Sequence, residues 1–282
     1  MNPMRPVEFR CEGDVLSGIL HPVAGQARTG VVIVVGGPQT RIGSHRQFLL
    51  LARALSAAGY PCLRFDYRGM GDSEGAPRDF EQIGADIRGA VDCLCREQPT
   101  IERVALWGLC DGASASVFYA ASDKRVVGLA LLNPWVRTEA GAAAALISDY
   151  YGKRLLSADF WRKLLSGDMN IVSRLKEFTA NLLAAKRHET GADVANLSLP
   201  ERFARGLEAF RGEVLLVLSG RDLTAAEFRA AAGQGPLADA LGRSRLAQVE
   251  LADANHTFSS AAWRGEVERA TMGWLAALDA RT

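Results

Sequence analysis

Apolar residues along this chain follow two periods. Residues 15–20 read as a strand after the turn-prone Glu12-Gly13-Asp14, and residues 31–35 form an unbroken β-branched run between glycines, as expected of a strand covered on both faces. Apolar positions then recur at Phe48, Leu51, Leu55 and Ala58 and stop at Gly59, which predicts a helix closed by a C-terminal glycine. Residues 61–65 follow as a short strand. Phe80, Ile83, Ile87, Val91 and Leu94 share one helical face, and Pro99 ends that segment. A strand at 104–107, a helix at 113–121 and a strand at 126–132 complete three successive alternations. Parallel strands joined by crossover helices bury that rhythm most economically.

After Pro134 the rhythm breaks. From Arg137 to about Arg211 there is no clear strand, and the segment carries Tyr150, Tyr151, Phe160, Trp161, Phe178 and Phe203. Strands resume at 214–218 and 246–251, and an amphipathic helix over 263–278 ends the chain. The expected organisation is a core of residues 1–136 and 212–282 interrupted by a helical cap at 137–211. That cap would form much of an acyl pocket, although at helical spacing its aromatics more often read as plain core.

Composition narrows the function classes. With 48% hydrophobic and 23% charged residues the chain belongs among globular proteins, and 33 basic against 32 acidic residues, a net charge of +1, exert no overall pull on nucleic acid or an anionic membrane. A small-molecule partner is therefore expected, with no nucleic acid. No apolar run approaches the roughly 20 residues that span a bilayer, and residues 1–9 do not read as a leader, so neither a transmembrane anchor nor a signal peptide is expected. Five cysteines, an odd number in a long chain, fit reduced thiols in a cytoplasm. Cys93 and Cys95, two apart on a helix, point to different faces. The four histidines are scattered, so neither a metal nor a cofactor is expected.

The most informative stretch is Gly108-Leu109-Cys110-Asp111-Gly112, between a strand and a helix. It fits a nucleophile elbow with cysteine where serine is usual. Such a turn is strained and crowded, so only glycines fit two residues either side, and the free N–H groups opening the next helix favour a thiolate. A lone cysteine between glycines also reads as a small buried hydrophobe. The flanking strand and helix favour the elbow.

A cysteine nucleophile needs a base. His21, at a strand end beside Pro22, His45, opening a helix, and His188, in the charged insertion, read as solvated surface residues. His256 lies in a polar loop directly after the last strand, where parallel sheets place ligands. Asp222, after the strand that resumes beyond the insertion, is the expected carboxylate partner, although alone it reads as a helix N-cap; Asp253 competes but lies three residues from His256. An acyl-transfer site also needs N–H donors for the oxyanion. Asp111 supplies one; in Gly36-Gly37-Pro38-Gln39 the proline has none, so Gly37 or Gln39 supplies the second, with Gln39 preferred. The same glycines lack dinucleotide-binding spacing.

Cys110, Asp222 and His256 in that order, with Phe65-Asp66-Tyr67-Arg68-Gly69-Met70-Gly71-Asp72-Ser73, resemble the α/β-hydrolase superfamily. More narrowly, Val35-Gly36-Gly37-Pro38-Gln39, Gly43-Ser44-His45-Arg46 and the Cys110 elbow resemble hydrolase 1 associated with bacterial exosortase A exopolysaccharide gene clusters. The superfamily resemblance implies an α/β fold with an eight-stranded, mostly parallel sheet and a cap after the sixth strand. The departure is serine to cysteine, which the dienelactone hydrolase-like members share. The expected function is cleavage of an ester, lactone or thioester through a Cys110 acyl-enzyme, with acyl transfer to another acceptor, noncatalytic ligand binding and redox sensing by Cys110 as rivals in that order.

Overall fold

Consecutive residues of the third strand face two separate apolar layers, and the sheet is organised around that division. The computed structural model describes residues 3–37, 39–137 and 197–281. In chain order the elements are β1 (Arg5–Cys11), β2 (Asp14–His21), β3 (Thr29–Val34), α1 (Gln47–Ala57), β4 (Cys62–Phe65), α2 (Gly84–Glu97), β5 (Arg103–Leu109), α3 (Asp111–Ala120) and β6 (Val126–Leu132). Beyond residue 196 follow α4 (Leu199–Ala209), β7 (Glu213–Arg221), α5 (Leu223–Ala232), α6 (Gly235–Arg243), β8 (Arg245–Asn255) and α7 (Ala261–Ala280).

The strands form one eight-stranded sheet in the order β1-β2-β4-β3-β5-β6-β7-β8. β1 and β2 pair antiparallel, as do β2 and β4, while every pairing from β4 through β8 is parallel. This is the α/β-hydrolase fold expected from the resemblance. Val31, Ile33 and Val35 pack with Phe48, Leu51 and Leu55 of α1 and Leu275 and Leu278 of α7. Val32 and Val34 face the opposite layer, with Ile87 and Val91 of α2 and Val117 of α3. Burial on both faces explains the unbroken β-branched run.

Three elements escape the periodicity. β1 is interrupted by Pro6 and by the polar residues Arg5, Glu8 and Arg10, and its pairing to β2 comes from the turn at Glu12 and Gly13, whose φ values are 49° and 102°. The alanine-rich α5 lacks a clear apolar stripe in sequence, and α6 is short, with a stripe of only Leu237, Ala240 and Leu241. The helical face that starts at Phe80 is split into a 3-10 turn over Phe80–Gln82, capped by Asp79, and then α2. Residues 138–196, and with them most of the expected cap, Tyr150, Tyr151, Phe160, Trp161, Phe178 and His188, lie outside the described residues. At the far end of that expected cap, Phe203 of α4 is fully buried in the layer that contains α3, with its ring 5.8 Å from Phe228 of α5.

The Asp66-to-Ser73 stretch after β4 is built on buried carboxylates. Asp66 accepts the Arg41 backbone N–H at 2.6 Å and pairs with the Arg41 guanidinium, and a Cβ on Gly71 would stand 2.1 Å from Asp66 Oδ2. Arg68, only 2% exposed, donates from Nε and Nη2 to the two Asp86 oxygens at 3.0 and 2.8 Å and also pairs with Glu12. Those hydrogen bonds outweigh burial and hold the Arg68 pKa above its ordinary value. Removing one partner strands the other charge, so Asp86→Ala is expected to cost about 3–5 kcal/mol in urea unfolding; a loss below about 1 kcal/mol would contradict this account.

Candidate active site

β5 runs into α3 through one residue, Cys110, whose φ of 60° and ψ of −125° lie where non-glycine residues are strained. The crowding behind that strain is measurable. A Cβ on Gly108 would stand 2.5 Å from the Gly112 carbonyl carbon, one on Gly112 2.5 Å from the Val34 carbonyl oxygen, and one on Gly36 2.6 Å from the Leu109 carbonyl oxygen. The ends of β3 and β5 and the start of α3 thus meet at distances only glycine allows. Backbone bonds lock the turn: the Cys110 N–H donates to Leu132 O at 2.9 Å, and the Cys110 carbonyl accepts from Ala113 and Trp135. The thiol remains partly exposed.

A family model described as serine aminopeptidase, S33, matches residues 26–223. The chain belongs to this family.

In this S33 family chain the elbow carries cysteine. The chain is 35% identical over 140 residues to the polyketide transferase grgF of Penicillium sp, a match covering 48% of this chain and 46% of grgF. It is 30% identical over 135 residues to the quorum-quenching protein AidA of Acinetobacter baumannii, covering 45% of this chain and 43% of AidA. Each match spans a little under half the length of these relatives. The Pyrococcus furiosus esterase Pf2001 superimposes with a TM-score of 0.66 at 16% identity, over 98% of this chain and 91% of the esterase, a likeness of fold.

The structure brings Cys110, Asp222 and His256 of the S33 family chain into one constellation. His256 follows the end of β8, and its Nδ1 lies 2.9 Å from Asp222 Oδ2. Asp222 is at once the N-cap of α5, accepting the Ala225 N–H at 3.0 Å and the Thr224 N–H at 3.4 Å, so one carboxylate contacts both the helix start and the imidazole. Burial pushes the His256 pKa down, but hydrogen bonds to Asp222 and the Cys110 thiol, and the negative charges of both, raise it to about 10. Asp253 takes no part: it is exposed and pairs with Arg221.

The remaining candidates separate. His45 is exposed, with φ 53° in the short 3-10 turn before α1. His21 corrects the expectation of a solvated surface residue: it is 3% exposed, its Nε2 accepts from Arg64 Nε at 3.0 Å, and burial followed by the Arg64 and Arg53 charges lowers its pKa to about 4. A strand-end position beside proline does not reveal Arg64, two residues beyond Cys62, the partner of His21 on β4. Gln39 Oε1 accepts the Ser44 N–H at 3.1 Å, tying down the loop after β3. The Gly37 N–H donates to Asp111 Oδ2 at 2.8 Å. Among the described residues, no cluster of His, Cys, Asp or Glu is arranged to hold a metal ion, and no helix is long and apolar enough to cross a membrane.

One residue of the site escaped the sequence reading. Asn133, fully buried with φ 41° at the end of β6, donates from Nδ2 to the His256 carbonyl at 3.0 Å and to Ser219 Oγ at 2.8 Å. Its Oδ1 accepts the Ser219 N–H at 2.8 Å, and Ser219 Oγ donates to the Asn255 carbonyl at 2.9 Å. This network fixes the His256 loop to the ends of β6 and β7. An asparagine just past an apolar strand and before Pro134 was the available signal, since asparagine tolerates positive φ.

The His256 pKa has a thermodynamic consequence. Because it is raised from the ordinary 6.5 to about 10, the stabilisation is complete below pH 6.5 and is lost as pH rises through about 10. Asp222→Asn keeps an N-capping side chain but removes the charge that raises the histidine. The melting-temperature gap between wild type and Asp222→Asn is therefore expected to be widest near pH 6 and to narrow steadily toward pH 10; a gap that widens with pH would contradict the assignment.

Proposed function

We propose that this hydrolase-fold protein cleaves an ester, lactone or thioester through a covalent intermediate on Cys110, with His256 as acid and base and Asp222 as its orienting carboxylate. The observation that carries this reading is the contact of His256 with Asp222 through Nδ1, while the same ring meets the thiol of a residue held at a strained strand-to-helix turn. Cys110 having already given its proton to His256, whose pKa is raised to about 10, the thiolate of the pair attacks the carbonyl carbon. As the carbon–leaving-group bond breaks, the leaving group takes the proton from the imidazolium. Water then gives a proton to His256 and adds to the thioester; the thiolate departs, and the acid is released. The Asp111 and Gln39 N–H groups stabilise the oxyanion, Gln39 being favoured because the Gly37 N–H is engaged by the Asp111 carboxylate.

A second reading ends differently. The similarity to a polyketide transferase favours an alcohol or amine acceptor in place of water, with the same thioester intermediate. The exosortase-associated resemblance supports a setting in bacterial exopolysaccharide biosynthesis, in the cytoplasm, with a small-molecule acyl substrate and residues 137–211 acting as its cap.

Wild type, Cys110→Ala and His256→Ala are to be incubated with a panel of aryl esters and acyl thioesters while product release and intact mass are followed. A transient acyl adduct that requires Cys110 is expected, with kcat/KM reduced at least about 1,000-fold in both variants. Three proteins equally inert and unlabelled would overturn the covalent reading and leave ligand binding in its place. Adduct decay accelerated by an added alcohol or amine would select acyl transfer.

A further inference from the structure

The Asp111 side chain joins two segments remote in sequence. Oδ2 accepts the Gly37 N–H, from the loop after β3, at 2.8 Å, and Oδ1 accepts the Gly112 N–H, at the start of α3, at 3.0 Å. Space is reserved for it: a Cβ on Gly36 would stand 2.1 Å from Oδ1, so no larger residue fits at position 36 while the carboxylate is there. A carboxylate in the first turn of α3 suits the helix dipole. Beside a nucleophile and a developing oxyanion, however, a negative charge opposes acyl chemistry. Its place at the elbow therefore calls for a compensating contribution, and the geometry supplies one.

We propose that Asp111 is a positioning residue whose carboxylate clamps the Gly36–Gln39 loop onto the elbow, fixing the oxyanion donors of that loop relative to Cys110. This rests on the reading of Cys110 as an acyl-accepting nucleophile. Without the clamp, the side-chain hydrogen bonds that hold this loop, among the described residues, lie at its far end, where Gln39 meets Ser44 and Arg41 meets Asp66. Donors that drift cost rate in the acylation step, whereas reactions of the thiolate that build no oxyanion do not depend on them.

The test compares two reactions of Cys110 in wild type, Asp111→Asn and Asp111→Ala. One is acylation by an aryl ester, read as the pre-steady-state release of phenolate; the other is alkylation by iodoacetamide, a displacement at carbon that forms no oxyanion. The ratio of acylation to alkylation rates is expected to fall about 100-fold in Asp111→Ala. Asp111→Asn keeps one acceptor oxygen and the side-chain shape, and is expected to fall about tenfold. A ratio unchanged or raised in both variants overturns the clamp, a rise meaning that the carboxylate blocks the donors. Should Asp111→Ala fail to fold, the same criterion applied to Asp111→Asn decides. Wild type that alkylates at Cys110 but forms no acyl-enzyme with any ester overturns the nucleophile reading, and the clamp with it; wild type that acylates while the variants match it overturns the clamp alone.

Discussion

Three backbone segments approach one another at Cys110 more closely than any side chain permits, and the rest of the candidate site depends on that approach. The end of β3, the end of β5 and the first turn of α3 converge where Gly36, Gly108 and Gly112 leave no room for a Cβ. The strained φ of Cys110 persists because parallel pairing on both sides of β5, with β3 and β6, holds the strand end in place. A thiol raised on such a turn projects from the carboxyl edge of the sheet, the edge from which the loops carrying Asp222 and His256 also leave.

A second constraint is the satisfaction of buried polar groups. Asn133, Asp66 and Asp86 are fully buried, and each is bonded to segments distant in sequence. An unmatched group at such depth costs more than a matched one contributes, so these residues act as specific fasteners rather than as sources of bulk stability. Asp66 fastens the loop after β3, Asp86 the loop after β4, and Asn133 the loop that carries His256.

The strand–helix alternation was legible because strands buried on both faces are continuously apolar, as at Val31 to Val35, and because helices such as α2 repeat their apolar positions every three or four residues. The elbow was legible because close packing forces glycines at fixed spacing around Cys110. Asp222 and His256 followed from their places after strands. What stayed hidden depends on partners remote in the chain: nothing near His21 announces Arg64, nothing near Asn133 announces Ser219 and the His256 carbonyl, and nothing near Asp111 announces the Gly37 N–H. β1 was obscured by Pro6 near its start, although Val7, Phe9 and Cys11 alternate with Glu8 and Arg10 in the period of a half-buried strand.

Asp222 holds the first turn of α5 and the imidazole of His256 with one carboxylate. Loss of that side chain removes a helix cap and a charge partner in the same event, so a substitution at this position is felt in folding as well as in the placement of the imidazole. Selection for folding acts here twice over, on the cap, which asparagine also supplies, and on the charge set against the imidazole, which only a carboxylate supplies.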